Sequence, residues 1–157
     1  MRIISVTISG FRSYLEPITI SFEEATTTIV GKNDAGKSTI LEGLDVFFGA
    51  KVELTDFSVG TDEPIEITCR FGDLPDVLVL DVDKETSLKD ENLLDEDGFL
   101  TIKKSWSRSK LTAPAIYASA NHPTFETQID LLSAKLPALK KMAQDLGVPD
   151  QSVSDRR

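Results

Sequence analysis

The run at residues 31–38 has the residue types and spacing of a phosphate-binding loop. It reads Gly-Lys-Asn-Asp-Ala-Gly-Lys-Ser and fits the P-loop pattern G-x-x-x-x-G-K-[ST]. Gly31 and Gly36 allow backbone conformations in which successive N–H groups converge on one oxyanion. Lys37 supplies an ammonium group for the β- and γ-phosphates, and Ser38 offers a hydroxyl to Mg²⁺. We therefore predict that this loop binds the phosphates of a nucleotide together with Mg²⁺.

The segments on either side of the loop are those that such a site requires. A strand must deliver the loop to the rim of a sheet, and residues 26–30 have the composition of that strand. A helix must begin at the loop with its unpaired N–H groups facing the anion. We predict this helix at residues 37–48, because apolar residues recur there at helical spacing and Gly49 then ends it. The predicted nucleotide-binding residues of the loop and helix are Gly31, Lys32, Asn33, Asp34, Ala35, Gly36, Lys37, Ser38 and Thr39.

Composition limits the class of protein. The chain has 157 residues, 40% of them hydrophobic, which suits one core and does not call for two complete domains. The single cysteine, Cys69, excludes an intramolecular disulfide, and the N-terminus lacks the layout of a signal peptide. No segment reaches the roughly 20 apolar residues that span a bilayer. We therefore predict a cytoplasmic protein that does not enter a membrane, and the net charge of −9 argues against one that coats DNA through its overall field.

The order of the elements predicts a β-rich part followed by a helical one. Alternation of apolar and polar residues indicates strands at 4–8, 18–22, 65–71, 99–106 and 114–119, the last at an edge or a strand start because Pro114 cannot donate to a ladder. From residue 126 the period is helical, and Pro137 should kink the helix or begin a second one. We predict a P-loop lobe at 1–125 with its β-rich part at 64–119, a helical segment at 126–150, and a frayed tail at 151–157. The apolar stripe of the helical segment packs either on the β-rich part or on a partner; it consists of Leu132, Leu136, Leu139, Met142 and Leu146.

A basic cluster in the β-rich part has two readings. Four cations surround Trp106 without an acid between them: Lys103, Lys104, Arg108 and Lys110. A basic patch with an aromatic inside it suits contact with a nucleic acid backbone. The other reading is a strand and turn whose outer face is simply solvated.

Residues 77–81 offer a second possible function. Four apolar residues lead there to Asp81, as in a Walker B strand whose acid holds Mg²⁺ through water. If Asp81 has that role, the chain is a self-contained small P-loop kinase or GTPase. Pro75 bounds the run and an acidic segment follows it, which also fits a short strand with a solvated exit.

The N-terminal third resembles a known family. The Gly-Phe-Arg-Ser-Tyr turn at 10–14, the strand at 18–22 and the run at 29–41 resemble the N-terminal ATP-binding lobe of RecF/SMC-like ABC-type ATPases. Asn33 and the Phe-Arg-Ser turn distinguish this branch from a generic P-loop protein. Within the branch, the chain is most similar to the OLD (overcoming lysogenization defect) family and to related AAA-type ATPases of anti-phage defence. The likeness is strong only as far as Phe48.

This resemblance implies an α/β fold, a P-loop NTPase lobe of the ABC-ATPase (SMC/RecF) type with a mixed β-sheet around one P-loop helix and a C-terminal helical segment. It implies ATP and Mg²⁺ as cofactors, with Arg12 near the phosphates. A second lobe or subunit would supply the signature loop and Walker B acids, so the chain alone hydrolyses little or no ATP. The implied partners are a second copy or another chain, and DNA, in DNA repair or phage defence. Gln128 is a candidate Mg²⁺ ligand of the Q-loop type, whereas His122 reads as a turn residue.

Overall fold

The computed structural model describes residues 1–32, 36–81, 84–119 and 136–145. Contacts between residues divide the chain into two compact units, Met1–His122 and Pro123–Arg157. The described part of the second unit is one helix, Leu136–Asp145. Pro137 lies in its first turn, where the missing N–H removes no hydrogen bond, so this proline begins a helix. The domain bounds that we inferred from the sequence stay a prediction, and the side chains of the apolar stripe lie outside the described residues.

The first unit contains seven described strands and one long helix. In chain order these are β1 (Arg2–Ser9), β2 (Ile18–Ser21), helix α1 (Lys37–Phe48), β3 (Ile65–Gly72), β4 (Leu78–Asp81), β5 (Lys84–Thr86), β6 (Leu100–Ser107) and β7 (Lys110–Ser119). Five of the strands form one sheet in the order β2-β1-β3-β6-β7, and each neighbouring pair is antiparallel. The strands β4 and β5 form a separate two-stranded ribbon.

Alternating sequence patterns located the strands of the main sheet correctly. Val6 lies opposite Cys69 and Ile8 opposite Ile67, so the apolar residues of β1 and β3 share one face. The structure differs at β7, which begins at Lys110 rather than at Pro114, because a tight turn returns the chain directly after Ser107. Among the described strands β7 is at the edge of the sheet, as predicted from Pro114.

The core lies where α1 packs on β1 and β3. Gly43 permits this packing, because a Cβ at that position would lie 2.7 Å from Cδ1 of Ile8. Cys69 is fully buried in the centre of β3, and burial raises the pKa of its thiol to about 12, which keeps the thiol neutral. The buried apolar residues are Val6, Ile8, Phe11, Ile40, Val46, Phe47, Val52, Phe57, Ile65, Ile67, Cys69, Phe71 and Trp106.

The predicted strand at residues 26–30 was wrong for this structure. These residues belong to no strand of the described sheets, although Ile29 is partly buried against the core and Val30 is 84% exposed. A strand exists only where a neighbour accepts and donates its backbone hydrogen bonds, and composition alone does not supply that neighbour. The chain therefore reaches the loop through irregular backbone.

An acidic turn before β6 is fixed to the sheet by one arginine. Arg70 of β3 donates to Asp95 from Nε at 3.0 Å and to Asp97 from Nη2 at 2.5 Å. Asp95 also accepts from the backbone N–H of Phe99 and from the hydroxyl of Thr101, both at 3.0 Å. The acidic segment thus contributes a hydrogen-bonded turn to the fold.

Across the described ranges, no helix is long and apolar enough to cross a membrane.

Candidate nucleotide site

The N-terminus of α1 has the backbone geometry of an anion site. Its N-cap is Gly36, with φ 78° and ψ 8° in the left-handed region, which a residue without a Cβ adopts readily. A glycine N-cap has no side chain to accept from the first N–H groups of the helix, so those donors remain for a ligand. The first turn carries no acidic residue. The positive end of the helix dipole is therefore not offset by an acidic side chain in the first turn of α1.

Lys37 closes the loop from the helix side. Its Nζ donates to the backbone carbonyls of Gly31 at 2.8 Å and Lys32 at 2.5 Å. These two residues precede positions 33–35, which lie outside the described residues. An ammonium group has three N–H donors, and the two carbonyls occupy two of them. Lys37 is therefore held at the start of the loop, with a charge that can meet a phosphate.

The residues that follow Lys37 are placed as a P-loop requires. Ser38 is exposed on the first turn of α1, where its hydroxyl can join the oxygen ligands of a phosphate-bound Mg²⁺. Thr39 is buried, so its side chain belongs to the base of the site. The start of α1 thus carries both free backbone donors and a hydroxyl that can bind a metal ion. The residues described here fit a nucleotide phosphate with its metal ion.

The turn at residues 10–14 packs against this loop. The hydroxyl of Tyr14 donates to the carbonyl of Gly36 at 3.0 Å. A Cβ built on Gly36 would lie 2.7 Å from that hydroxyl and 3.1 Å from Oγ of Ser13. Two constraints therefore require glycine at position 36: its positive φ and the close approach of this turn.

Arg12 lies in the same turn and is held by two carboxylates. Its Nε donates to Oδ1 of Asp56 at 2.9 Å, and its Nη1 contacts Oε2 of Glu42 on α1. The backbone N–H of Arg12 also donates to the carbonyl of Asp56 at 2.7 Å. Arg12 has φ 49°, a conformation that is uncommon for a residue with a side chain and that persists where surrounding contacts enforce it.

The structure brings together some of the predicted residues and separates others. Arg12, through its turn, lies with Gly31, Lys32, Gly36, Lys37, Ser38 and Thr39 around the start of α1. Asn33, Asp34, Ala35, His122 and Gln128 lie outside the described residues. Asp81 ends β4, which pairs with β5 apart from the main sheet. This placement of β4 outside the five-stranded sheet gives the kinase or GTPase alternative no support.

Three of the four cations of the basic cluster bond within the protein. Lys104 donates from Nζ to the carbonyl of Phe47 at 2.7 Å, which caps the C-terminal end of α1. Lys103 pairs with Glu66 at 3.1 Å, and Arg108 donates to the carbonyls of Ser58 and Thr61. Trp106 is buried. These contacts give Lys103, Lys104 and Arg108 structural roles and favour the second interpretation of the cluster, whereas contact with a nucleic acid stays a prediction.

Sequence reasoning missed three residues of this site. Tyr14 was noted only as part of a turn, and Asp56 and Glu42 were not singled out at all. Asp56 is 44 positions from Arg12, and Glu42 is 30 positions from it. No motif spacing links residues that meet only through the tertiary fold.

A family model described as an AAA ATPase domain matches residues 1–154. Two similar proteins are chromosome partition proteins Smc. The protein of Halothermothrix orenii is 49% identical over 37 residues, which are 24% of this chain and 3% of that protein. The protein of Mycobacterium tuberculosis is 41% identical over 44 residues, which are 28% of this chain and 4% of that protein.

A solved structure shows the same fold. The SMC head domain from Thermotoga maritima aligns with a TM-score of 0.52 and 19% identity, over 78% of this chain and 39% of the head domain. The predicted fold class, a P-loop ATPase lobe of the SMC type, is thereby confirmed. The chain spans well under half of that head domain and a few per cent of the Smc proteins that it matches.

Proposed function

Because the chain belongs to the AAA ATPase domain family, we propose that it is the ATP-binding lobe of an SMC/RecF-like ATPase. The observation that carries this proposal is the start of α1, where a left-handed Gly36 frees the first N–H groups and Lys37 lies over the loop. ATP would bind with its phosphates on these groups, and Ser38 would join the ligands of Mg²⁺. Asn33, Asp34 and Ala35 complete the loop in this proposal.

We propose further that hydrolysis needs a second lobe or a second chain. The described site would contact the phosphates on one side only. Phosphoryl transfer also needs charge stabilisation and an oriented water around the γ-phosphate. The first unit also exposes apolar side chains before the loop and along α1: Val30 is 84% exposed, Leu41 59% and Phe48 61%. Leu41 and Phe48 are seven positions apart on α1 and share one face. This face suits burial by the rest of an ATPase head.

The wider role rests on the resemblance of the N-terminal third. We propose that the protein is an OLD-like ATPase that acts in DNA repair or phage defence in the cytoplasm. ATP-dependent association, either with a second copy or with another chain, would complete the site, and DNA is the proposed target of the complex. The basic cluster adds little to this proposal, because Lys103 and Arg108 already bond within the protein.

Nucleotide-dependent thermal stability tests the proposed binding. Addition of millimolar ATP and MgCl₂ should raise the Tm of the chain, because a ligand that binds only the folded state stabilises it by mass action. Lys37→Ala should lose most of this shift, since it removes the ammonium group over the loop. Lys51→Ala is the matched control, because Lys51 is exposed beyond the end of α1. An unchanged Tm of the wild-type chain with ATP, or equal shifts in both variants, contradicts the proposal.

A further inference from the structure

Two carboxylates that differ in burial bind the side chain of Arg12. The side chain of Asp56 is 9% exposed, and that of Glu42 is 42% exposed. Asp56 accepts from Nε of Arg12 through Oδ1 and from the N–H of Glu53 through Oδ2, both at 2.9 Å. Its own carbonyl accepts from the N–H of Arg12. Asp56 is thus bound at both oxygens and at its backbone, and this geometry fixes the inner part of the Arg12 side chain.

Glu42 lies one helical turn from the predicted metal ligand. Ser38 and Glu42 are four positions apart on α1, so they share a face at a spacing of about 6 Å along the axis. Nη1 of Arg12 contacts Glu42. Contact with Glu42 occupies Nη1, so this nitrogen can meet another anion only when the contact is broken.

We propose that Asp56 is a positioning residue that anchors Arg12, and that Glu42 competes with the nucleotide phosphates for the free end of its guanidinium group. This inference rests on the proposed function and adds two residues to it. In the nucleotide-free state, Glu42 neutralises Arg12 and occupies its Nη1. When ATP binds, a phosphate oxygen replaces the Glu42 carboxylate, while Asp56 keeps its bond to Nε. Arginine suits this role because its planar group offers separate donors to two anions.

The difference in burial supports this division between the two carboxylates. Removal of Arg12 from Asp56 would leave a buried carboxylate with an unsatisfied oxygen, which is costly. Release of Glu42 costs little, because a half-exposed carboxylate regains water. The left-handed backbone of Arg12 is consistent with a side chain held for function, because such conformations persist only when several contacts enforce them.

Calorimetric titration of the chain with ATP-Mg²⁺ tests the competition. Glu42→Gln should tighten ATP binding about two- to fivefold, the range that corresponds to one half-exposed ion pair. Asp45→Asn is the matched control, because it removes the same charge from an exposed position further along α1. It should leave the Kd for ATP nearly unchanged. In an Arg12→Gln background, Glu42→Gln should no longer tighten binding, because the residue for which Glu42 competes is gone.

Asp56→Asn tests the anchor. This variant should weaken ATP binding while Arg12→Gln and the double variant Arg12→Gln, Asp56→Asn bind equally weakly, because Asp56 acts through Arg12. Folding is followed by Tm in the absence of nucleotide, so that loss of the fold is not mistaken for loss of binding. If Asp56→Asn does not fold, the titrations of Glu42→Gln, with and without Arg12, and of the Asp45→Asn control decide the proposal.

The outcomes separate this inference from the function on which it rests. A wild-type chain that binds no ATP contradicts the proposed function and this inference with it. A wild-type chain that binds ATP, with Glu42→Gln no tighter than Asp45→Asn, overturns only the competition. Equal tightening by Glu42→Gln with and without Arg12 also overturns it, since the effect would then come from charge alone.

Discussion

At the residue scale, the phosphate-binding residues of the loop could be predicted from the sequence, whereas the residues that pack against the loop could not. Gly36, Lys37 and Ser38 were predicted because phosphate binding requires these residue types within one short stretch. The contacts of Tyr14 and Asp56 arise from residues 22 and 44 positions apart that the fold brings together. Such contacts leave no periodicity or spacing in a single sequence. The roles of both residues therefore come from the structure.

Tyr14 gives the first prediction at this scale. Tyr14→Phe removes the hydroxyl that donates to the carbonyl of Gly36, while the ring is retained. We expect ATP binding to weaken by about three- to tenfold, since one hydrogen bond that orders the loop is lost. Tyr117→Phe serves as the control, because Tyr117 is exposed on β7. Equal Kd values for ATP in both variants would show that the Tyr14 hydroxyl does not order the loop.

At the scale of elements, hydrophobic periodicity and strand pairing explain which predicted strands and helices the structure contains. The strands of the main sheet were predictable because alternation records which face is buried. Helix α1 ends before Gly49, as its spacing indicated. Residues 26–30 have strand composition but lack a partner among the described strands, and a pairing partner is not a property of the segment itself. The early start of β7 depends on a turn at Arg108 that pattern reasoning missed.

The acidic turn before β6 predicts a pH-dependent contribution to stability. Burial opposes ionisation of Asp95, but hydrogen bonds from Phe99, Thr101 and Arg70 outweigh it and lower the pKa of its carboxyl below its usual value. A lowered folded-state pKa stabilises the protein above the unfolded-state pKa, near 4, and this contribution is lost as the pH falls through the folded-state value. Asp95→Asn should therefore cost about 1 to 2 kcal/mol of unfolding free energy at pH 7.

Urea denaturation of wild-type protein and Asp95→Asn across pH 3 to 7 checks this prediction. The difference in unfolding free energy should be constant above about pH 5 and shrink at lower pH, where the wild-type carboxyl becomes protonated. Asp90→Asn is the control in the same acidic segment, because Asp90 is exposed. A difference that does not vary with pH would show that shape, and not the charge of Asp95, stabilises the turn.

At the scale of the whole molecule, the chain shares the fold of part of an SMC head domain. It covers 39% of the SMC head domain whose fold it shares. The predicted division of labour, in which this lobe binds ATP and another part completes catalysis, followed from motifs absent from the sequence. The exposed Leu41 and Phe48 face was not predicted, because periodicity locates an apolar stripe without showing what covers it.

Phosphate release by the isolated chain tests that division. We expect little or no turnover with saturating ATP and Mg²⁺, since groups on one side of the γ-phosphate do not stabilise the whole transition state. The assay compares the wild-type chain with Lys37→Ala, which defines the background. Turnover in the range of about 1 s⁻¹ or more that Lys37→Ala abolishes would mean that the chain contains a complete site. Loss of that turnover in Asp81→Asn would then favour the small P-loop enzyme.

The close packing of α1 on β1, which Gly43 permits, also affects how the protein responds when a nucleotide binds. Strand β1 runs directly into the turn that contains Arg12 and Tyr14, and α1, which begins at the loop, rests on Ile8 of the same strand. The two parts of the nucleotide site, the turn with Arg12 and the start of α1, thus both connect to the central strands of the sheet. We therefore expect movement of α1 away from the loop to require separation of the helix from the sheet. Bound nucleotide should then slow amide hydrogen exchange in β1 and β3 together with that of the loop.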